Sequence, residues 1–124
     1  MPLLALDVGR RRTGAAVHDA SHGITLPLDT IQHASFDELI AAVEAILTAR
    51  EIDEIILGLP LLPSGDEGAQ AVYVRKVGAA LEQLCPVRYI DERYTTPLPS
   101  GVDGDATAAC ELLRMAVEIM KNAE

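Results

Sequence analysis

The chain has 124 residues, a length that predicts one compact domain over residues 1–124. Of these residues 49% are apolar and 23% charged, a composition that excludes a disordered, collagen-like or low-complexity chain. Its longest apolar stretch, residues 55–63, is about half as long as a membrane-spanning helix, and its first residues do not resemble a secretion signal, so a cytoplasmic protein is expected. The net charge of −9 at pH 7 argues against a protein that binds nucleic acid through its overall field.

Three strands are predicted in the first third of the chain. Residues 3–8 are a short apolar run, residues 14–18 are small and apolar, and residues 24–31 supply a third strand. The short connections favour an antiparallel meander. The first connection carries three of the ten basic residues, Arg10, Arg11 and Arg12. This turn is the clearest anion-facing element, although in isolation a solvated basic turn is the simpler explanation.

A helix over residues 36–50 is predicted next. Ser35 and Glu38 form a capping box, and apolar residues follow at helical spacing. Residues 54–59 are a continuous apolar run, which after a helix indicates a buried parallel strand.

The second half of the chain alternates helices and strands. Residues 69–84 are predicted to be helical and residues 87–91 to form a strand. After a loop at 97–104, residues 105–122 form the last predicted helix, with apolar residues on one face. The predicted order is βββαβαβα, an α/β fold with a mixed five-stranded sheet flanked by helices.

Acidic residues fall at the ends of three predicted elements. Asp7 ends the first strand, Asp91 and Glu92 end the fifth, and Asp105 opens the last helix. Because sites in mixed α/β sheets lie at the carboxyl ends of central strands, these carboxylates are expected to meet there. Close carboxylates repel one another unless divalent cations lie between them, and oxygen ligands favour Mg²⁺ or Mn²⁺. Asp103 competes with Asp105 for the third position, and Asp105 is preferred because Ala109, Leu112 and Leu113 follow it at the spacing that places it on the buried face of the helix. Capping of the helix is the alternative role for Asp105.

Four short motifs are spaced through nearly the whole chain. They are residues 7–19 with the three arginines, residues 58–61 followed by Gly65, Gly68 and Gln70, residues 91–96 beginning Asp-Glu-Arg, and residues 105–109. In this order they resemble the YqgF/RuvX family, the Holliday junction resolvases with an RNase H-like fold.

The resemblance implies an RNase H-like domain that cleaves phosphodiester bonds with a divalent metal. Its substrate would be Holliday junctions and other branched DNA, or the 5′ end of pre-16S rRNA. The catalytic residues that hold Mg²⁺ or Mn²⁺ would be Asp7, Glu92 and Asp105. The contacts to backbone phosphates would come from Arg10, Arg11, Arg12 and Arg93, unless Arg93 pairs with Asp91 instead.

Two departures from the family pattern bear on substrate binding. The segment 97–104 is shorter than in the family and has no basic residue, and Leu62 stands where the family commonly has Asn. They keep open a second class of function, a non-catalytic RNase H-like module that binds nucleic acid or protein. A weaker third hypothesis starts from Asp7 and Gly9, which also resemble the phosphate loop of sugar-kinase and actin-like ATPases, but those need two such domains.

The remaining histidines and cysteines are assigned no catalytic role. His18 and His22 are placed in a surface turn and not at a metal site. Cys85 and Cys110 are interpreted as thiols, and Cys85, beside Pro86, is expected to be exposed and able to form an intermolecular disulfide on oxidation. A homodimer is compatible with the sequence, which does not require one.

Overall fold

The architecture is taken from a computed structural model, which describes residues 2–19, 21–91, 109–110 and 112–117. The named elements in chain order are β1 (Pro2–Asp7), β2 (Arg12–Asp19), β3 (Ile24–Pro27), β4 (Ile31–Gln32), α1 (Phe36–Arg50), β5 (Glu54–Leu59), α2 (Ala69–Leu81) and β6 (Val87–Asp91). Residues 109–110 and 112–117 are helical and are called the C-terminal helical residues below. Among the residues that the structure describes, no helix has the length and apolarity that crossing a membrane requires.

The strands form one mixed sheet in the order β3-β2-β1-β5-β6, with β4 paired to the other end of β2. β1 and β2 are antiparallel, as are β2 and β3, whereas β5 runs parallel to both β1 and β6. The predicted meander is therefore confirmed, and the predicted parallel strand, β5, lies between β1 and β6. β1 lies at the centre of the sheet and is hydrogen-bonded on both edges.

Apolar side chains cover both faces of the sheet. On one face, Leu4 and Leu6 of β1 belong to a cluster that also contains the buried residues of α1 and α2. On the other face, Leu3 and Ala5 pack with the C-terminal helical residues, of which Ala109, Leu112, Leu113 and Ala116 are fully buried. This alternation explains why β1 reads as a continuous apolar run.

Two predicted boundaries differ in the structure. The strand predicted over residues 24–31 is split into β3 and β4. The N–H of Leu28 still donates to the carbonyl of Ala15 in β2, but regular pairing resumes only where Ile31 lies opposite Thr13, with the register shifted by one residue. The helix predicted over residues 69–84 ends at Leu81, and turns lead from there to Pro86. The residue before a proline avoids the helical conformation, so the helix ends short of Cys85.

The ends of the helices follow the predicted local chemistry. The hydroxyl of Ser35 accepts a hydrogen bond from the backbone N–H of Glu38 at 3.2 Å, and the Glu38 carboxylate accepts one from the N–H of Ala34. The predicted capping box is therefore confirmed. α2 packs closely on the sheet through Gly78, where a side chain would overlap the hydroxyl of Tyr89.

Candidate active site

Asp7 is the last residue of β1 and lies at the edge of the sheet where β5 and β6 also end. Leu59 of β5 pairs with Asp91 of β6, so the two parallel strands finish together beside it. Side chains alternate along a strand, so Asp7 lies on the face where Leu3 and Ala5 meet the C-terminal helical residues. The carboxylate is half-buried, and Gly14 is its register partner in β2.

The turn after Asp7 is tightly folded. A Cβ atom at Gly9 would overlap the backbone carbonyl oxygen of Arg12, so only glycine fits this position. The N–H of Gly9 lies 3.5 Å from the hydroxyl oxygen of Thr13, to which it donates. The arginine turn, residues 10–12, is thereby exposed next to the end of β1.

α2 holds one side of this turn. The side-chain amide of Gln70 donates a hydrogen bond to the carbonyl of Val8 at 2.9 Å, and the guanidinium of Arg10 lies 4.4 Å from the centre of the Tyr73 ring. Stacking of a guanidinium on an aromatic ring fixes its position without neutralising its charge. Arg10 is therefore directed toward α2.

A buried polar pair holds the other side of the turn. Thr13 and His33 are the two polar residues buried in the described part of the chain, and the Thr13 hydroxyl lies 2.9 Å from Nε2 of His33. The backbone N–H of His33 also donates to the carbonyl of Arg11 at 2.9 Å. Burial lowers the pKa of His33 below its usual 6.5, with an opposing effect from Glu38, so the ring is neutral at pH 7. Within the described residues, its Nδ1 atom is buried and has no hydrogen-bond partner.

Between the arginine turn and β4 lies an open groove of about 480 Å³. Its lining consists of Arg11, Arg12, Gln32, His33 and Ala34. Because Arg12 pairs with Gln32 in the sheet, the two walls of the groove are joined by the backbone. The sequence alone indicated the arginines but not this groove, since a two-residue strand and an isolated histidine carry no recognisable pattern.

The structure brings together only part of the predicted catalytic set. Asp7, Arg10, Arg11 and Arg12 gather at one edge of the sheet. Four further predicted or competing site residues lie outside the described residues, namely Glu92, Arg93, Asp103 and Asp105. Within the described ranges, no group of three or more metal-ligating side chains occurs. The donor that is described, a half-buried carboxylate at a strand end, suits a hard divalent cation.

The predictions for the other histidines and cysteines are partly confirmed. Nδ1 of His22 lies 2.9 Å from the Asp19 carboxylate, in the surface turn between β2 and β3 as predicted. The placement of His18 in that turn is wrong, because His18 lies within β2, with its Nδ1 2.8 Å from the hydroxyl of its strand partner Thr25. The prediction that Cys85 is exposed is wrong. Its side chain packs into the core with its thiol directed to the carbonyl of Ile52, and no disulfide joins the two described cysteines.

Sequence comparison finds relatives along most of the chain. A profile of the RuvX family, described as Holliday junction resolvase, matches residues 1–102. A candidate pre-16S rRNA nuclease from Chloroflexus aurantiacus is 38% identical over 96 residues, which cover 76% of this chain and 63% of that protein. A second, from Chloroflexus aggregans, is 36% identical over 96 residues, which cover 76% of this chain and 68% of that protein. The chain thus spans less than two thirds of the length of the Chloroflexus aurantiacus protein.

Comparison of structures finds the same fold in a protein of distant sequence. RuvC of Thermus thermophilus has a TM-score of 0.64 at 15% identity, over 98% of this chain and 97% of that one. The same protein in complex with a Holliday junction substrate has a TM-score of 0.63 at 15% identity, over 96% of both chains. This likeness confirms the predicted RNase H-like fold.

Proposed function

Because this chain belongs to the RuvX family of Holliday junction resolvases, we propose that it is a metal-dependent endonuclease. The proposed reaction is hydrolysis of a backbone phosphodiester bond in branched DNA or in the precursor of 16S rRNA. The observation that carries the proposal is Asp7, a carboxylate on the central strand, followed at once by an exposed turn of three arginines. Negative and positive groups are both needed where a metal ion and a phosphate must bind side by side.

Asp7, Glu92 and Asp105 are proposed to hold Mg²⁺ or Mn²⁺. Divalent cations supply a water nucleophile at neutral pH and offset the charge that develops on phosphate oxygens. Glu92 directly follows β6, which ends at the same edge of the sheet as β1, and this supports its assignment. Asp105 precedes the C-terminal helical residues, which pack on the face that carries Asp7.

The arginine turn is proposed to contact backbone phosphates and so to position any nucleic acid regardless of sequence. Arg93 would clamp the scissile phosphate or pair with Asp91. A local cluster of positive charge is needed for this role, because the chain as a whole carries a net charge of −9.

The test is cleavage of labelled substrates by wild type and by Asp7→Asn, Glu92→Gln and Asp105→Asn. A four-way DNA junction, a DNA duplex and a pre-16S rRNA fragment are each incubated with Mg²⁺, Mn²⁺ or a chelator. Metal-dependent cleavage by wild type, lost in all three folded variants, is expected, and the cleaved probe identifies the substrate. Asp103→Asn is the matched control, and loss of activity there with retention in Asp105→Asn would exchange their roles. Unfolding of the variants would instead make the carboxylates structural.

A second candidate is a binding module that does not cleave. The absence of basic residues from segment 97–104 favours it, because a phosphate contact is removed from that part of the sequence. The same experiment separates the two, since a module would bind the junction and metal but leave every probe intact.

We further propose that the domain works in the cytoplasm, as one RNase H-like unit that pairs with a second copy. Resolving a junction takes two symmetric cuts, which two copies related by a twofold axis would supply. Sedimentation of the protein with and without the junction tests this assembly, and a monomer in both conditions would contradict it.

A further inference from the structure

The three arginines of the turn face different surroundings. Arg10 is stacked on Tyr73 at the α2 side, whereas Arg11 and Arg12 line the groove beside β4. The lining of this groove, in the described part of the chain, contains two guanidinium groups and no carboxylate. The Glu38 carboxylate, which lies next to Ala34, is already bonded to the backbone N–H of that residue. In a chain with a net charge of −9, such a surface is suited to an anion.

The floor of the groove lies on the opposite face of the sheet from Asp7, whereas Arg12 and its partner Gln32, two residues from Gly14 along β2, lie on the same face as Asp7. Thr13 is one residue before Gly14, the register partner of Asp7, so alternation along β2 places Thr13 on the other face. His33 packs against Thr13 there. A phosphate held by Arg11 over this floor would therefore be a different one from the phosphate cleaved beside Asp7.

The floor of the groove is built from polar groups withdrawn from water. Thr13 is fully buried and His33 is 5% exposed, and their mutual hydrogen bond connects β4 to the turn through the N–H of Gly9. Burying polar groups is costly unless they are paired, and paired networks enforce one geometry. The backbone bond from His33 to the carbonyl of Arg11 ties the same floor to the arginine itself.

We propose that this groove is a binding subsite for one non-scissile backbone phosphate of the nucleic-acid substrate, and that the buried Thr13 and His33 pair fixes its shape. The inference rests on the proposed function, since it takes the substrate to be a nucleic acid. Arg11 is the residue that touches the phosphate, and Thr13 and His33 are positioning residues. Gln32 presents an amide on the opposite wall, which can donate to a phosphate oxygen.

The test is the affinity for a fluorescent four-way DNA junction and for a labelled pre-16S rRNA fragment, measured in chelator over a range of salt concentrations. Arg11→Ala is expected to weaken binding about three- to tenfold at about 0.1 M salt and to reduce the slope of log K against log salt by about one. Arg50→Ala removes the same charge at the C-terminal end of α1 and is the matched control, with less than about a twofold change expected. Equal effects of the two variants would overturn the subsite.

The positioning role needs variants that leave the charge of the groove unchanged. Thr13→Val is expected to weaken binding and to flatten its salt dependence, as Arg11→Ala does. The double variant is expected to bind no more weakly than Arg11→Ala alone. Additive effects, or wild-type binding by Thr13→Val, would overturn this role. Gln32→Glu, at an exposed position, places a carboxylate in the groove and is expected to weaken binding even if Thr13→Val fails to fold.

The outcome is independent of cleavage. Binding that depends on Arg11 in a protein that cuts no probe would contradict the nuclease and uphold the subsite. Metal-dependent cleavage with binding indifferent to Arg11 would uphold the nuclease and overturn the subsite.

Discussion

The side-chain amide of Gln70 donates a hydrogen bond to the backbone carbonyl of Val8, over 2.9 Å and across 62 positions of the chain. Val8 is buried directly after Asp7, so this bond joins the first turn of α2 to the backbone that carries the catalytic candidate. Gln70 is the last residue of the second of the four family motifs, and this hydrogen bond gives it a physical role. The helix holds the strand end in place.

Gln70→Leu is predicted to destabilise the protein by about 1–3 kcal/mol, because the partly buried Val8 carbonyl loses its partner. Urea unfolding measures this change. Gln83→Leu, at an exposed position after α2, is the control and should stay within about 0.5 kcal/mol of wild type. The affinity of the proposed metal site for Mn²⁺ should fall in the Gln70 variant alone. Unaltered stability and affinity would show that the bond does not position the end of β1.

Stability is predicted to fall as the pH drops below the ordinary pKa of histidine. Burial lowers the pKa of His33 from 6.5, so the unfolded chain binds a proton more readily than the folded protein. The stability that the neutral His33 ring contributes is therefore complete above pH 6.5. It is lost as the pH falls from there through the lower pKa that His33 has in the folded protein. Urea unfolding from about pH 8 to about pH 5 would reveal this slope.

His33→Phe isolates this effect, because it replaces the titrating ring with an aromatic ring that does not titrate. The free energy of unfolding of wild type is expected to fall relative to that of the variant as the pH drops below 6.5. His22→Phe, at the exposed surface turn, serves as the comparison and should leave the slope nearly unchanged. A difference that is independent of pH would mean that His33 titrates alike in the folded and unfolded states.

Gly78→Ala is predicted to destabilise the packing of α2 on the sheet by about 1–3 kcal/mol. The added Cβ atom would lie 2.9 Å from Cζ of Tyr89 and 3.1 Å from Cδ1 of Leu57, and it would overlap the Tyr89 hydroxyl. Tyr89→Phe removes that hydroxyl and should restore part of the loss in the double variant. Urea midpoints of the four proteins test this, and strictly additive changes would contradict the contact.

Cys85 is predicted to resist alkylation in the folded protein. Its side chain is 7% exposed, and burial, reinforced by Asp53 and Glu54, raises the pKa of its thiol. Iodoacetamide at about pH 8 should therefore label it slowly, and much faster in urea. Peptide mass spectrometry follows the modification of Cys85 itself, and equal rates in both conditions would contradict its burial.

Most of the fold is predictable from the sequence, because the local patterns that mark each strand and helix agree with the strand pairing that the structure shows. The apolar run before Asp7 identifies the central strand, and the Ser35 and Glu38 capping box locates the start of α1. The split of the strand predicted over residues 24–31 was missed because the sequence around Pro27 does not show whether pairing with β2 continues without interruption.

The candidate site is less accessible to sequence reasoning, because it depends on contacts between distant segments. The arginine turn and Asp7 are adjacent in the chain and were predicted together, whereas His33 reaches Thr13 across 20 positions through a two-residue strand. No periodicity accompanies such a strand. The meeting of Asp7 with Glu92 and Asp105 remains a prediction.

The position of β1 between β2 and β5 also sets the order in which the molecule opens. Its amides are protected by neighbours on both edges and by apolar layers on both faces, so their hydrogen exchange should require global unfolding. β3 is exposed along its whole length and β4 has two residues, so both should exchange through local fraying. Mild denaturant would accordingly loosen the proposed phosphate subsite beside β4 while the backbone under Asp7 stays native, so the subsite would be lost before the position of the Asp7 carboxylate changes.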